Sequence, residues 1–188
     1  MNKTKTIVGI GLFTAIVVVL QLLGGGIRFG IFSISLVLLP IVVGSALYGW
    51  RGGAWLGLAF GITVLISGDA APFLAVNIFG TVLVVLLKGT LCGLIAGLTY
   101  KLLEKCNRLV AVFGAAFICP VVNTGVFLLG CQIFFLPTIS EWAAAAGYEN
   151  AGAYMFLSLA GINFEVELGT NLVLAPVITQ LISQGKKL

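Results

Sequence analysis

Residues 73–108 read FLAVNIFGTVLVVLLKGTLCGLIAGLTYKLLEKCNR. From Phe73 to Leu103 the run is apolar except for Asn77, Thr81, Lys88 and scattered small polar groups. It then ends in a cluster of charge, Glu104, Lys105 and Arg108, with Lys101 one turn earlier. A bilayer core needs about 20 apolar helical residues. The run is therefore long enough to span a membrane, and too long to do so as one straight helix along the normal. It must tilt, break or begin with a turn outside the core.

The rest of the chain repeats this grammar. Of the ten Lys and Arg residues, Lys3, Lys5, Arg51, Lys101, Lys105, Arg108, Lys186 and Lys187 fall at the termini or in every second gap between apolar runs. The other gaps carry Arg28, Asp69, Glu141 and Glu149. That alternation is the positive-inside pattern of a polytopic membrane protein with both termini in the cytoplasm. With 60 % apolar and 9 % charged residues and a mean hydropathy of +1.19, an ordinary soluble domain is excluded. The net charge of +4 sits at membrane edges and is no nucleic-acid signal.

The reading is an all-α bundle of six transmembrane helices forming a single domain over 1–188. The spans fall at about 6–23, 31–48, 54–67, 73–103, 109–136 and 155–182. Met1 to Leu23 resembles a signal peptide but lacks an A-x-A-like site, and is kept as the first span. Pro40 and Pro120 lie inside spans and are expected to kink them. Glu141 to Ala146 is expected to form a short interfacial helix stopped by Gly147.

Catalysis is poorly served by this composition. The chain has no histidine, which removes the commonest general base and metal ligand. No phosphate-binding G-x-x-x-x-G-K-[ST] loop is present. Asp69 is the sole aspartate, so a pair of intramembrane aspartates cannot form. Cys92, Cys106, Cys119 and Cys131 form no CxxC motif and read as packing residues. No metal and no cofactor is expected.

Polar groups inside spans are costly and point to function. In span four Asn77, Thr81 and Lys88 fall within about 40° on a helical wheel. In span six Asn163, Glu167, Thr170 and Asn171 make a second stripe, with Glu165 facing the other way. In span five Asn123, Phe127, Gly130 and Phe134 share a face. Converging, these stripes would line a small-molecule pocket with aromatic walls and a few fixed polar groups. The alternative is that Lys88 pairs with Glu167 and the amides only lock helices together. Arg28, beside three glycines in the first outer link, is a further candidate for the pocket mouth. Small residues form ridges: Gly11 and Ala15; Gly53, Gly57 and Gly61; and Gly89, Gly93 and Gly97. They suit close helix packing within the bundle or docking of a partner.

Whole-chain features and several local patterns resemble the S components of energy-coupling-factor vitamin transporters. The patterns are Leu39-Pro40-Ile41-Val42-Val43-Gly44, continuing through Tyr48-Gly49-Trp50-Arg51-Gly52-Gly53-Ala54-Trp55-Leu56-Gly57; Gly68-Asp69 ahead of Asn77; and Pro120-Val121-Val122-Asn123-Thr124-Gly125. The resemblance implies the binding subunit of an ATP-driven importer in a bacterial cell membrane. Such a subunit takes a micronutrient in its outer half and joins a membrane coupling protein with two ATPases. It then topples to deliver its cargo. The family's docking alanines of span one map onto Gly11 and Ala15, the first being Gly here. Arg28, Asn77, Lys88, Asn123, Phe127, Asn163, Glu167 and Asn171 are the candidate binding residues. A cation free in the pocket favours a carboxylate cargo: pantothenate first, then lipoate or a folate-like acid. Competing readings are a self-sufficient secondary transporter or channel, with Glu165, Glu167 and Lys88 handling ions, and an assembly factor that binds only other helices.

Overall fold

The computed structural model describes residues 3–24, 28–29, 32–33 and 36–185, without the side chains of 28–29, 32–33, Ile162 and 184–185. Helix α1 (Lys3–Gly24) leads to a ribbon of two antiparallel strands, β1 (Arg28–Phe29) and β2 (Phe32–Ser33). Then come α2 (Leu38–Ser67), the single turn α3 (Ala71–Leu74), α4 (Ile78–Leu103), α5 (Arg108–Phe134), α6 (Leu136–Ala145) and α7 (Ala151–Tyr154). A π-helical segment, Met155–Ala160, precedes α8 (Gly161–Val173) and α9 (Ala175–Gly185). The fold is an all-helical membrane bundle apart from the short ribbon.

By length and apolarity α1, α2, α4 and α5 are long enough to cross a bilayer, and the bent pair α8–α9 adds a fifth candidate if it counts as one span. Helix α2 is not a straight rod. Gly49, at φ 78° and ψ 179°, breaks its helical path in a region that only glycine enters without cost. The chain reverses there. Gly44 packs against the Leu56 side chain and Gly53 against Ser45, although twelve residues of straight helix would separate Gly44 from Leu56 by about 18 Å. The expected spans two and three are thus the two limbs of a helical hairpin.

One proline expectation and the course of span six are corrected. Pro40 does not kink a span, because α2 begins at Leu38 and proline is tolerated in a first turn, where its missing N–H has no partner to lose. The expected continuous span six is instead broken by 48° between α8 and α9. Pro176, second in α9, has no N–H for the Leu172 carbonyl and crowds it. Pro120 does lie inside α5, fully surrounded by protein.

Other local choices follow the sequence. The long fourth run breaks as expected: α3 is a separate turn, and Asn77 caps α4 by accepting a hydrogen bond from the Gly80 N–H at 2.8 Å. The interfacial helix forms as α6, starting earlier than expected with Pro137 in its first turn. It stops at Gly147, whose φ is 78°.

The two glycine ridges meet. Gly53 abuts the Gly93 carbonyl, Gly57 the Gly89 carbonyl, and Gly61 the Val85 carbonyl. With no Cβ between them, the second limb of α2 and α4 approach backbone to backbone, which maximises dispersion contact where lipid supplies no hydrophobic drive. These ridges serve packing within the bundle. Trp50 seats on Gly97, with the Arg51 guanidinium 5.0 Å from the Trp50 ring centre. Arg51, Lys101 and Arg108 therefore gather at one end, and the turn at Asp69 lies at the other.

Candidate functional site

Between α4, α5, α8 and the second limb of α2 lies a cavity of about 70 Å³. Helix α4 contributes Thr81, Val84, Val85 and Lys88; α5 contributes Asn123, Phe127 and Cys131; α8 contributes Asn163 and Glu167. Phe60 and Val64 come from α2, Asp69, Ala70 and Phe73 from the turn that follows it, and Gln21 from the end of α1. Phe135 completes the aromatic wall. Phe73 stands edge-on to Phe127, Phe135 and Trp142, with centroids 5.5, 5.1 and 5.6 Å away. Edge-to-face packing of this kind fixes ring positions.

Lys88 is the centre of the site. It lies ten residues inside α4, about 15 Å from that helix's start. Its Nζ is 5.6 Å from the Phe60 ring centre and 5.4 Å from that of Phe127. The ammonium thus sits between two π-faces, an attraction of about 0.5–2 kcal/mol. That replaces only part of its lost hydration. Glu167, 3 % exposed, lies within electrostatic reach, yet among the described residues Lys88 makes no ion pair. The expected alternative of a closed Lys88–Glu167 bridge is not what the side chains adopt.

The amides are also underused. The Oδ1 atoms of Asn123, Asn163 and Asn171 are buried without a hydrogen-bond partner among the described residues. Leaving a buried acceptor unmet costs about 1–3 kcal/mol, and such orphans mark places where a ligand or water belongs. At the mouth Gln21, itself buried, donates from Nε2 to Asp69 Oδ2 at 2.7 Å, and Ser67 Oγ donates to the same oxygen at 3.0 Å. This ties the far end of α1 to the turn after α2. Among the described residues no three metal-ligating side chains cluster.

Lys88, Asn123, Phe127, Asn163 and Glu167 are therefore brought together as their spacing suggests. Asn77 is not part of the wall; its carboxamide is used to cap α4, while Thr81 and Lys88 of the same stripe reach the cavity. Asn171 stands one turn beyond the wall, donating to the Glu167 carbonyl at 2.8 Å. It supports the helix that carries Glu167. The side chain of Arg28 lies outside the described residues. Gly130 and Phe134 pack against Val84 and Gly80 rather than facing the cavity. Gln21, Phe60, Asp69, Phe73 and Phe135 escape a stripe-by-stripe reading. Asp69 and Gln21 had a signal in being rare polar residues at the ends of expected spans three and one. The phenylalanines had none, being ordinary in such sequence.

Among the described residues the cavity holds one cation, orphan acceptors and aromatic walls inside a membrane bundle, and this is the setting of the comparison with known proteins. Residues 5–179 match the family model of the ECF transporter, substrate-specific component. The chain belongs to this family of ECF transporter substrate-specific components. It is similar to the pantothenic acid transporter PanT of Lactococcus lactis subsp. cremoris, with 26 % identity over 204 aligned positions covering 98 % of this chain and 97 % of the relative. No solved structure matches the chain. Membership agrees with the sequence reading of a transporter subunit rather than an enzyme. On α1 Gly11 and Ala15 are exposed, and a Cβ at Gly11 would meet nothing within 4 Å. Neighbouring Gly9 is instead filled by Tyr48, so of the small residues on α1 this pair faces outward.

Proposed function

We propose that this chain is the high-affinity binding subunit for uptake of a carboxylate micronutrient, pantothenate above all, in an ATP-driven importer of a bacterial cell membrane. The observation that carries the reading is Lys88, an ammonium held between two aromatic rings in the cavity with no carboxylate bonded to it. An incoming carboxylate supplies the charge-assisted hydrogen bond that Lys88 lacks. The orphan oxygens of Asn123 and Asn163 suit hydroxyl or amide donors, which pantothenate carries. The similarity to PanT supports the same cargo.

In this reading the bundle has six spans, counting both limbs of α2, and both termini are cytoplasmic with the basic end inside. Energy comes from a separate module, a membrane coupling protein with two ATPases, which docks on the Gly11–Ala15 face of α1. Support for that face is its openness and its small side chains, which admit a partner helix closely.

The test is ligand-dependent thermal stability of the purified protein in detergent across vitamins and their precursors. A ligand at 100 times its Kd adds about 2.7 kcal/mol of apparent stability. Pantothenate should raise the melting temperature and neutral vitamins should not. A flat panel, or stabilisation by a cation alone, overturns the proposal.

A further inference from the structure

Among the described residues Lys88 is the cation of the cavity. Around it stand the carboxylates of Glu167 and Asp69 and the amide oxygens of Asn123 and Asn163, which have no hydrogen-bond partner among those residues. Asn123 is only 5 % exposed, so its orphan oxygen is a buried polar atom that points to a donor-bearing ligand. Asp69 extends that logic to the mouth. Its Oδ2 is pinned by Gln21 and Ser67, while Oδ1 accepts no hydrogen bond among the described residues. A carboxylate held by one oxygen presents the other in a set direction. That free oxygen accepts a hydroxyl or amide hydrogen, and its charge repels an anion brought to the same place.

One end of the site holds Lys88 with Glu167 in its electrostatic reach, and the mouth holds Asp69. Lys88 lies about ten helical residues into α4, and Asp69 in the turn before that helix begins. We infer that Asp69, positioned by Gln21 and Ser67, is a specificity-determining residue: the site takes an elongated monoanion whose far end bears hydroxyl or amide donors, and rejects the same molecule once that end is phosphorylated. This deepens the function proposed above and rests on its placing of the ligand carboxylate at Lys88. The consequence for transport is discrimination between a free nutrient and its phosphate ester, which a pocket selecting only for a carboxylate would not achieve.

The experiment is competition against radiolabelled pantothenate on the full chain in detergent. One competitor is the phosphate ester at the terminal hydroxyl, and the other is an acyl-β-alanine of similar length without hydroxyls. Each should bind at least ~30-fold more weakly than pantothenate, the scale of a lost hydrogen bond to a charged group. Asp69→Asn keeps an oxygen for Gln21 and Ser67 and turns the free oxygen into a donor. It should weaken pantothenate and narrow the gap to the phosphate ester at least ~10-fold. A gap unchanged in Asp69→Asn means that the ester is excluded by size, and overturns the inference. So does a hydroxyl-free competitor that matches pantothenate on the unaltered protein, a comparison that stands even if the variant does not fold. Absence of any pantothenate binding by the unaltered protein instead overturns the proposed function, and the inference with it.

Discussion

Gln21 Nε2 donates to Asp69 Oδ2 at 2.7 Å, joining the end of the most loosely packed long helix to the turn that rims the cavity. Helix α1 is only 11 % buried along its apolar window, against 33–44 % for α2, α4 and α5. A buried side-chain bond at its far end thus counts for more than in a well-packed helix. Gln21→Ala should lower stability by about 1–2 kcal/mol, read as a drop in detergent melting temperature. An unchanged melting curve would mean that the packing of α1 on α2, with Phe13 edge-on to Tyr48, holds it without this bond.

The glycine seam between α2 and α4 should be the least tolerant part of the bundle. Gly57→Ala places a methyl group on the Gly89 carbonyl, a backbone atom that cannot swing aside, so folded yield should collapse, with a cost of several kcal/mol. Gly125→Ala, where nothing lies within 4 Å, is the control. It should be neutral or slightly stabilising, since alanine favours helix by about 1 kcal/mol over glycine. Size-exclusion profiles of the two variants decide the matter.

Lys88→Met should abolish binding of an acidic ligand while the bundle remains folded, because Met fills the slot between Phe60 and Phe127 and carries no charge. Normal binding by this variant removes Lys88 from the site. Pairing it with Glu167→Gln tests coupling. With no ion pair between the two residues, the double variant should not restore stability lost in either single one; restoration would show that the two form a pair.

Gly11→Leu and Ala15→Leu should leave ligand binding and melting temperature unchanged and break co-purification with the coupling module. The sites are open to the outside of the bundle, so a larger side chain meets no part of this chain. Loss of ligand binding instead would place this face in the bundle's own packing.

Cys106 is exposed in the link between α4 and α5, and Cys92, Cys119 and Cys131 are buried. A membrane-impermeant maleimide should therefore label about one site per chain, since buried thiols are inert. Labelling should occur in inverted vesicles and not in right-side-out ones if the basic end is cytoplasmic. The reverse pattern would invert the proposed topology.

The apolar runs and their charged boundaries were legible in the sequence because each depends on neighbours within a few positions. The stripes of Lys88, Asn123 and Glu167 were legible too, because helical periodicity alone decides which residues share a face. Whether a polar residue on such a stripe is spent on its own backbone, as Asn77 is, or faces a cavity depends on where the helix starts. Boundaries are the weakest part of any reading by periodicity.

Sequence by itself determined that this is a helical membrane protein with a basic end and a few intramembrane polar groups, because bilayer thickness and the cost of burying charge leave little other choice. Only the tertiary structure decided the rest. The reversal at Gly49 brings two glycine ridges into register, and that contact sets the distance between α2 and α4 and so the width of the cavity. The bend at Pro176 and the tie from Gln21 to Asp69 join residues far apart in the chain. No local pattern encodes such pairings, since they arise from which helices can approach closely once all of them are packed.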